Sequence, residues 1–358
     1  MSILERFNPL RIIRTVESVP RLQDLGDKLR EDQKAVARQL KTMTRQLEQL
    51  EQTLSRQQDV LARVPEIQTT VRQCAAIYTK DARHASQLTA LRAKLGDGAC
   101  LASHAAAAVA RATLELDPFP YVIIEDLLPE DVYDDLVGAI PSGMFFSQNA
   151  KRQELEVPFL FAPEYSRFVW GLFFDKAISE VMVPALTEKF RPALDAFVRE
   201  NWPALGSMAE SGITLRVSNS RMLLRRPGYV IKPHRDPRWA FLTCLVYLPR
   251  SFDGQSYGTQ LYRLRHEPEQ THSSPLWIDP GECELVRDVP ARRNTALVFL
   301  NSTGAHGASI PSDAPPDTKR YLYQVQFSVD PDMKRKLIDS MPDRARAGWT
   351  VARGDDYQ

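Results

Sequence analysis

The sequence predicts an α+β fold: a double-stranded β-helix (jelly-roll) domain flanked by helices and preceded by a long helical coiled-coil arm. Three observations lead there. A leucine-rich seam with heptad spacing occupies residues 22–64, helical patterns continue to about residue 198, and strand patterns take over from about Leu215. The segment 320–328 alternates, with Arg320, Leu322, Gln324 and Gln326 on one face and Tyr321, Tyr323, Val325 and Phe327 on the other. The polar face suits the inside of a wet barrel and the aromatic face suits packing under helices. A helical lead followed by strands fits a jelly roll with helices on its outside. The expected division is a helical arm at 1–116 with the coiled coil at about 20–64, the jelly-roll domain at 117–335, and a C-terminal tail at 336–358.

In the arm, Leu29, Val36, Met43, Leu50 and Val64 fall on a seven-residue repeat that Gln57 interrupts, and Leu40, Leu47, Leu54 and Leu61 interleave at three and four. Glutamine and charge fill the other positions. This is a coiled-coil seam over 64 − 29 = 35 residues, or five heptads. Ser18 and Pro20 suit a helix start. Pro65 lacks an amide hydrogen and clashes with the preceding turn, so a break or kink is expected there. A stripe this long and narrow is hard to bury on one globular body, which favours self-association into a homo-oligomer over packing on its own chain. Gln33, Gln57 and Gln68 at seam positions lower stability and help fix register, and the number of strands stays open.

A second helical stretch from Pro65 to about Leu95 is punctuated by Gly96-Asp97-Gly98, and 100–112 is a strong helix by propensity, with His104 as a surface or packing residue. Asp117-Pro118-Phe119-Pro120 ends these helices and opens the body. Within the body, 132–140, 165–174 and 177–198 read as helices and 239–248 as a buried strand. Residues 263–295 are loop-rich, with strand pieces around Trp277 and Cys283.

Hydrophobic residues at 43% and charged residues at 25% describe a soluble globular chain. A net charge of +1 gives no reason to expect nucleic acid. Residues 1–98 hold 17 basic against 12 acidic side chains, a bias too slight for a polyanion binder. Cys74, Cys100, Cys244 and Cys283 show no paired spacing, which fits free thiols in a reducing compartment. The N-terminus lacks a signal-peptide pattern, and no stretch approaches the roughly 20 apolar residues of a membrane span. A cytoplasmic protein is expected. Ile3, Leu4, Phe7, Leu10, Ile12 and Ile13 with three arginines are compatible with peripheral contact at a membrane surface, though a docking segment for the chain itself is favoured.

The chemistry-bearing residues are His234-Arg235-Asp236 and, at 306 − 236 = 70 residues downstream, His306. Residues i and i+2 of a strand point to the same face, so His234 and Asp236 can share one ion, with His306 supplied by a neighbouring strand. Two imidazoles and one carboxylate on one side of a metal leave the opposite positions open, as in non-heme Fe(II) oxygenases. A lone His-x-Asp is weak, but here a buried strand follows the pair, and Arg320 lies at 320 − 306 = 14 residues past His306 with a rigid fork of donors for a carboxylate.

With these residues in view, the chain resembles the Fe(II)- and 2-oxoglutarate-dependent dioxygenases, in their prolyl-hydroxylase-like branch. Residues 118–133, Pro227-Gly228-Tyr229 and Gly258-Thr259-Gln260-Leu261-Tyr262 carry the resemblance besides the triad, which covers about 117–330. The resemblance implies that His234, Asp236 and His306 hold Fe(II), that Arg320 clamps the distal carboxylate of the cosubstrate 2-oxoglutarate, and that O2 binds at the metal. Succinate and CO2 would be released as an unactivated C–H bond is hydroxylated. The presence of Asp236 argues for hydroxylation, since related halogenases carry a small residue there.

Lys319 competes with Arg320, but alternation puts them on opposite faces, and the bidentate geometry of arginine favours Arg320. Tyr229 is a second candidate for the cosubstrate, with a core aromatic as the equal alternative. Gln260, Tyr262, Asn301 and Gln324 are open between cavity lining and hairpin structure. His266 and His272 are not expected to be ligands. Arg221, Arg225, Arg226, Arg235 and Arg238 crowd the metal pair in sequence. A solvated rim is the usual reading; the sharper one is that Arg221 or Arg238 holds an anionic substrate. An acidic sugar, an amino acid or a phosphate-bearing carrier would fit, and a glycan-related substrate is equally open. The alternative from another class is a non-catalytic coiled-coil scaffold or binding protein with a degenerate jelly roll. A structural zinc site would need thiolates that are not placed to serve.

Overall fold

The computed structural model describes residues 9–147, 149–237, 239–250, 257–267 and 275–340. Two compact units emerge, residues 1–72 and 73–358. The described residues of the first unit all belong to the helix α1 (Pro9–Leu95). Its sequence is dominated by Leu, Arg, Gln and Ala, all strong helix formers. The helix starts earlier than Ser18 and runs through Pro65 without a stop, which corrects the expected break. An internal proline forfeits one hydrogen bond, and good helix formers on both sides outweigh that loss. Thr69 Oγ1 donates to the Pro65 carbonyl at 2.9 Å, as Thr42 and Thr44 do to the carbonyls four residues before them. Leu29, Val36, Leu40, Met43, Leu47, Leu50 and Leu54 are each 54–59% exposed, so the seam is not buried within that unit. The N-terminal side chains proposed for membrane contact lie outside the described residues.

In the second unit, the last turns of α1 bury Leu88, Leu91 and Leu95, spaced three and four residues apart on one face. The helices that follow are α2 (Ala99–Arg111), α3 (Glu130–Gly138), α4 (Glu164–Leu172), α5 (Val183–Lys189), α6 (Arg191–Asn201), α7 (Met208–Ser211) and α8 (Pro331–Asp339). A π-helical stretch, Phe173–Met182, joins α4 to α5 where the sequence reads as ordinary helix. α8 runs across the expected domain–tail boundary, and its Leu337 is fully buried and accepts from Trp202 Nε1 at 2.9 Å.

The strands are β1 (Leu114–Glu115), β2 (Tyr121–Ile124), β3 (Arg152–Glu156), β4 (Arg216–Arg225), β5 (Val230–Arg235), β6 (Leu242–Tyr247), β7 (Thr259–Leu264), β8 (Leu276–Trp277), β9 (Cys283–Val289), β10 (Thr295–Leu300), β11 (Ala305–Ser309) and β12 (Arg320–Ser328). Among the described residues they form a seven-stranded sheet, β1-β2-β10-β6-β12-β4-β3, and a five-stranded sheet, β8-β5-β11-β7-β9. Every pairing in them is antiparallel. From β4 onward the chain passes repeatedly between the sheets, which is why residues far apart in sequence become neighbours.

Two-residue periodicity sorts the larger sheet into two faces. Leu242, Cys244 and Val246 of β6 and Ala296, Val298 and Leu300 of β10 join the core that includes Trp170, Phe173 and Phe197 of the helices. Their alternates Leu245, Tyr247, Leu297 and Phe299 join a second cluster with Leu261 and Val289 of the smaller sheet. β12 divides as its sequence predicts. Tyr323 packs on Trp170 and Phe173 with ring centroids 5.4 and 5.8 Å apart, while Arg320, Leu322 and Gln324 face a cavity on the other side.

Candidate metal and anion site

His234 and His306 sit directly opposite each other on the adjacent strands β5 and β11, and Asp236 follows one residue past the end of β5. Asp236 Oδ1 lies 3.6 Å from His234 Nε2 and 4.0 Å from His306 Nε2. The ligand atoms of all three residues fall within 4.8 Å of one another, and all three side chains are buried. Two donors bonded at about 2.1 Å to one ion are at most about 4.2 Å apart, so both separations to Oδ1 allow shared coordination.

The hydrogen bonds leave one donor atom of the pair His234–Asp236 per residue for an ion. His234 Nδ1 donates to the Lys232 carbonyl at 2.9 Å, which fixes the tautomer with Nε2 free. Asp236 Oδ2 accepts from Thr243 Oγ1 at 2.7 Å and from Gln326 Nε2 at 3.2 Å. Asn301 Nδ2 donates in turn to Thr243 Oγ1 at 2.9 Å and also bonds the Ala240 carbonyl. Oδ1 is thereby turned toward the imidazoles. His234 leans on Trp277, with centroids 5.3 Å apart, and His306 on Phe299 at 4.5 Å. Just before β11, Gly304 has a φ of +73°, and a Cβ there would stand 2.2 Å from the Phe119 ring.

Electrostatics favour the metal-binding protonation states. Burial, reinforced by His234, brings His306 down to about 3 despite Asp236. Burial disfavours the Asp236 charge, but His306, His234 and the Thr243 hydroxyl outweigh it and hold the carboxyl well below its ordinary value. A neutral imidazole and an ionised carboxylate are what a divalent cation requires.

The same cavity takes in Arg320, Tyr229 and Arg221, together with Arg152 and Arg225. About 60 Å³ is open to the centres of water-sized groups. Arg320 is buried, and its Nε and Nη2 donate to the carbonyls of Tyr257 and Gly258 at 2.6 and 3.0 Å, with Thr259 Oγ1 at 3.3 Å. Its guanidinium meets no carboxylate among the described residues. Gly258 makes this anchorage feasible, since a Cβ there would lie 1.8 Å from the Val289 carbonyl. Lys319, by contrast, lines a separate surface cleft beside Tyr321 and Arg250. Tyr229 is buried, and the Arg225 guanidinium lies 5.0 Å above its ring.

Other candidates go elsewhere. Gln260 accepts from the Tyr262 hydroxyl at 2.8 Å, and neither lines the cavity; Asn301 acts behind Asp236, and only Gln324 of that group faces the space. His266 is exposed, and His104 bonds the Asp126 carbonyl. Arg235 pairs with Glu267 at 2.7 Å and bonds the Gly304 carbonyl at 3.2 Å, so it is a strut between the metal strands. Arg238 and His272 lie outside the described residues. Sequence reading missed Arg152 and Glu154, since β3 carries no strand signal, and passed over Thr243, the hydroxyl in an otherwise apolar run.

A search against profiles of known protein families and a search of curated proteins both find no match. Solved structures do match. A non-heme alpha ketoglutarate dependent carbocyclase, SnoK from nogalamycin biosynthesis, is 16% identical over 58% of this chain and 79% of that one, with a TM-score of 0.36. A Pseudomonas putida prolyl-4-hydroxylase is 13% identical over 64% of this chain and 99% of that one, with a TM-score of 0.33. The epimerase SnoN in complex with Fe3+, alpha ketoglutarate and nogalamycin RO is 15% identical over 64% and 83%, with a TM-score of 0.34. At such identities chemistry does not transfer from one chain to another. Among the described residues, no helix is long and apolar enough to cross a membrane.

Proposed function

We propose that this protein is an Fe(II)- and 2-oxoglutarate-dependent oxygenase that hydroxylates an unactivated C–H bond of an anionic or glycan-related substrate, on a jelly-roll domain. The observation that carries the reading is the convergence of His234, Asp236 and His306 in one cavity with Arg320, a buried guanidinium lacking a carboxylate partner among the described residues. The alternation of the chain between two antiparallel sheets from β4 to β12 supports the jelly-roll reading.

The residues fit the group they are asked to hold. Two imidazole nitrogens and one carboxylate oxygen form a three-ligand face with open positions opposite, the donor set suited to ferrous iron. When bound, iron and 2-oxoglutarate supply the chemistry: one atom of O2 ends in succinate as CO2 leaves, and the other is inserted into the substrate C–H bond. Thr243 and Gln326 keep the carboxylate oriented, and Arg320 receives the distal carboxylate of the cosubstrate at Nη1, the guanidinium nitrogen that its bonds to Tyr257, Gly258 and Thr259 leave over. Tyr229, on the same wall, donates its hydroxyl toward that cosubstrate. Leu223, Leu245 and Leu322 make the wall between these polar groups apolar, which excludes water from the reacting positions.

The test is succinate formation from 2-oxoglutarate with Fe(II) and ascorbate, wild type against His234→Ala. Turnover by the wild type and background by the variant are expected; equal rates would refute the assignment. The exposed seam of α1 supports self-association of the chain through Leu40, Met43, Leu47 and Leu50. Sedimentation of a Leu47→Glu, Leu50→Glu double variant is expected to shift to the monomer, and an unchanged mass would remove the coiled coil from the account.

A further inference from the structure

We propose that the cavity has a second, built anion site, separate from the cosubstrate clamp, in which Arg221, Arg225 and Arg152 bind a phosphate or carboxylate group of the substrate. The inference rests on the oxygenase reading and deepens it by naming the substrate class. It starts from strand register. Arg225 of β4 stands directly opposite Arg152 of β3 on one side and Arg320 of β12 on the other. Three arginines therefore form a lateral row across three adjacent strands, and all three line the same cavity. Like charges directly opposed across strands repel, so such a row needs counter-charge.

Glu154 supplies counter-charge to two of its members and to Arg221. Glu154 Oε1 accepts from Arg152 Nε and Arg225 Nη2, each at 2.9 Å, and Oε2 accepts from Arg221 Nη1 at 2.8 Å. Burial pushes Glu154 up, yet Arg221, Arg225 and Arg152 together bring it down to about 2, so it stays ionised at any working pH. Its single charge is shared among three guanidiniums. Arg225 is 2% exposed, and its Nε finds no acceptor among the described residues, an uncommon deficit for a buried charged group. Arg221 uses Nε on Gln324 Oε1 at 2.9 Å and Nη1 on Glu154, and no acceptor for Nη2 is found among the described residues.

The charge balance separates this site from the clamp. A ferrous ion with Asp236 carries a net positive charge, and Arg320 adds another; the two carboxylates of 2-oxoglutarate offset both. Arg221 and Arg225 set against Glu154 then leave an excess of one positive charge on the wall. Nothing in the loaded cosubstrate cancels it. An anionic group on the substrate would, and the guanidinium forks match phosphate and carboxylate alike. Gln324 and Arg221 lie opposite each other in register, and Gln326, two residues along from Gln324, reaches Asp236. A group held by Arg221 is thus on the metal side of the row.

The experiment uses the full chain loaded with Mn(II) and 2-oxoglutarate, titrated calorimetrically with methyl phosphate in one arm and acetate in the other. Saturable binding of at least one is expected, weakened about tenfold or more in Arg221→Gln and in Arg152→Gln and recovered in part by Arg221→Lys, with unchanged 2-oxoglutarate affinity. Circular dichroism melts separate lost binding from lost fold, and any unfolded variant is replaced by its lysine counterpart. Preference for methyl phosphate assigns a phosphorylated substrate, and preference for acetate a carboxylated one. If neither anion binds the loaded wild type, or if both variants bind as the wild type does, the second site is overturned. Loss of 2-oxoglutarate binding in Arg221→Gln but not in Arg320→Gln would also overturn it, because the row would then be the clamp. Failure of 2-oxoglutarate to bind the metal-loaded wild type at all strikes the oxygenase reading instead, a distinct result.

Discussion

The inward face of β12 has two ends that solve different problems. At Gln326 the side chain completes a closed network: Asp236 Oδ2 takes two donors, Thr243 takes one from Asn301, and His234 Nδ1 is satisfied by a backbone carbonyl. At Arg320, roughly 20 Å of strand away at about 3.4 Å per residue, three arginines stand abreast, and two of them, Arg152 and Arg225, share the Glu154 carboxylate with Arg221. The metal end presents unused acceptors, two imidazole nitrogens and an oxygen, in a ring of fulfilled hydrogen bonds. The arginine end presents unused donors at Arg225 Nε and Arg221 Nη2, which meet no acceptor among the described residues. On the proposed reading the first is organised for one cation and the second for anions.

That contrast can be broken most severely at the metal end. Replacing Asp236 with alanine is expected to abolish Fe(II)-dependent succinate formation and to remove the stoichiometric metal seen by elemental analysis. Turnover surviving at more than about a thousandth of wild type would mean that the three ligands do not act as a set. At the opposite end, Arg320→Gln is expected to raise the 2-oxoglutarate requirement about 10- to 100-fold, the range for a lost charge-assisted hydrogen bond, while metal content stays the same. An unchanged requirement in steady-state kinetics would move the clamp elsewhere.

A subtler change tests the support behind the carboxylate. Thr243→Val keeps shape and removes the donor to Oδ2, and an approximately tenfold loss of metal affinity is expected by competition with a chelating dye. The smallest effect concerns the shared counter-charge. Glu154→Gln is expected to cost on the order of 2 kcal/mol in denaturant melts near neutral pH, since three guanidiniums lose their common partner. The folded-state value of about 2 lies below the ordinary 4.5. The Glu154 contribution is therefore fully present above about 4.5 and declines as pH falls toward 2, so the gap between wild type and variant should narrow over that window. A gap that widened on acidification would contradict the pairing.

The two ends also differed in how far the sequence exposed them. His234, Asp236, His306 and Arg320 stood out because strand alternation is local: i and i+2 share a face, and the polar–aromatic alternation of 320–328 told inside from outside. The seam of α1 was visible for the same reason, as a regular period. The arginine row was not, because it is made by register between β3, β4 and β12, and a strand as short and polar as 152–156 has no period to betray it. Arg221 was singled out, but Arg225 was read as rim although it is buried. Pro65 misled in the other direction, since a local rule about proline yielded to the helix formers on either side. The π-helical stretch after Leu172 had no sequence signal that distinguishes it from α-helix.

The central claim is that a metal held by three side chains and a guanidinium deeper in the same cavity bind one cosubstrate together. Anaerobic calorimetric titration of 2-oxoglutarate into the full chain, with and without Fe(II), addresses it directly. The prediction is saturable binding with the metal and a weakening of at least about tenfold without it. Equal binding in both, or none in either, would contradict the account.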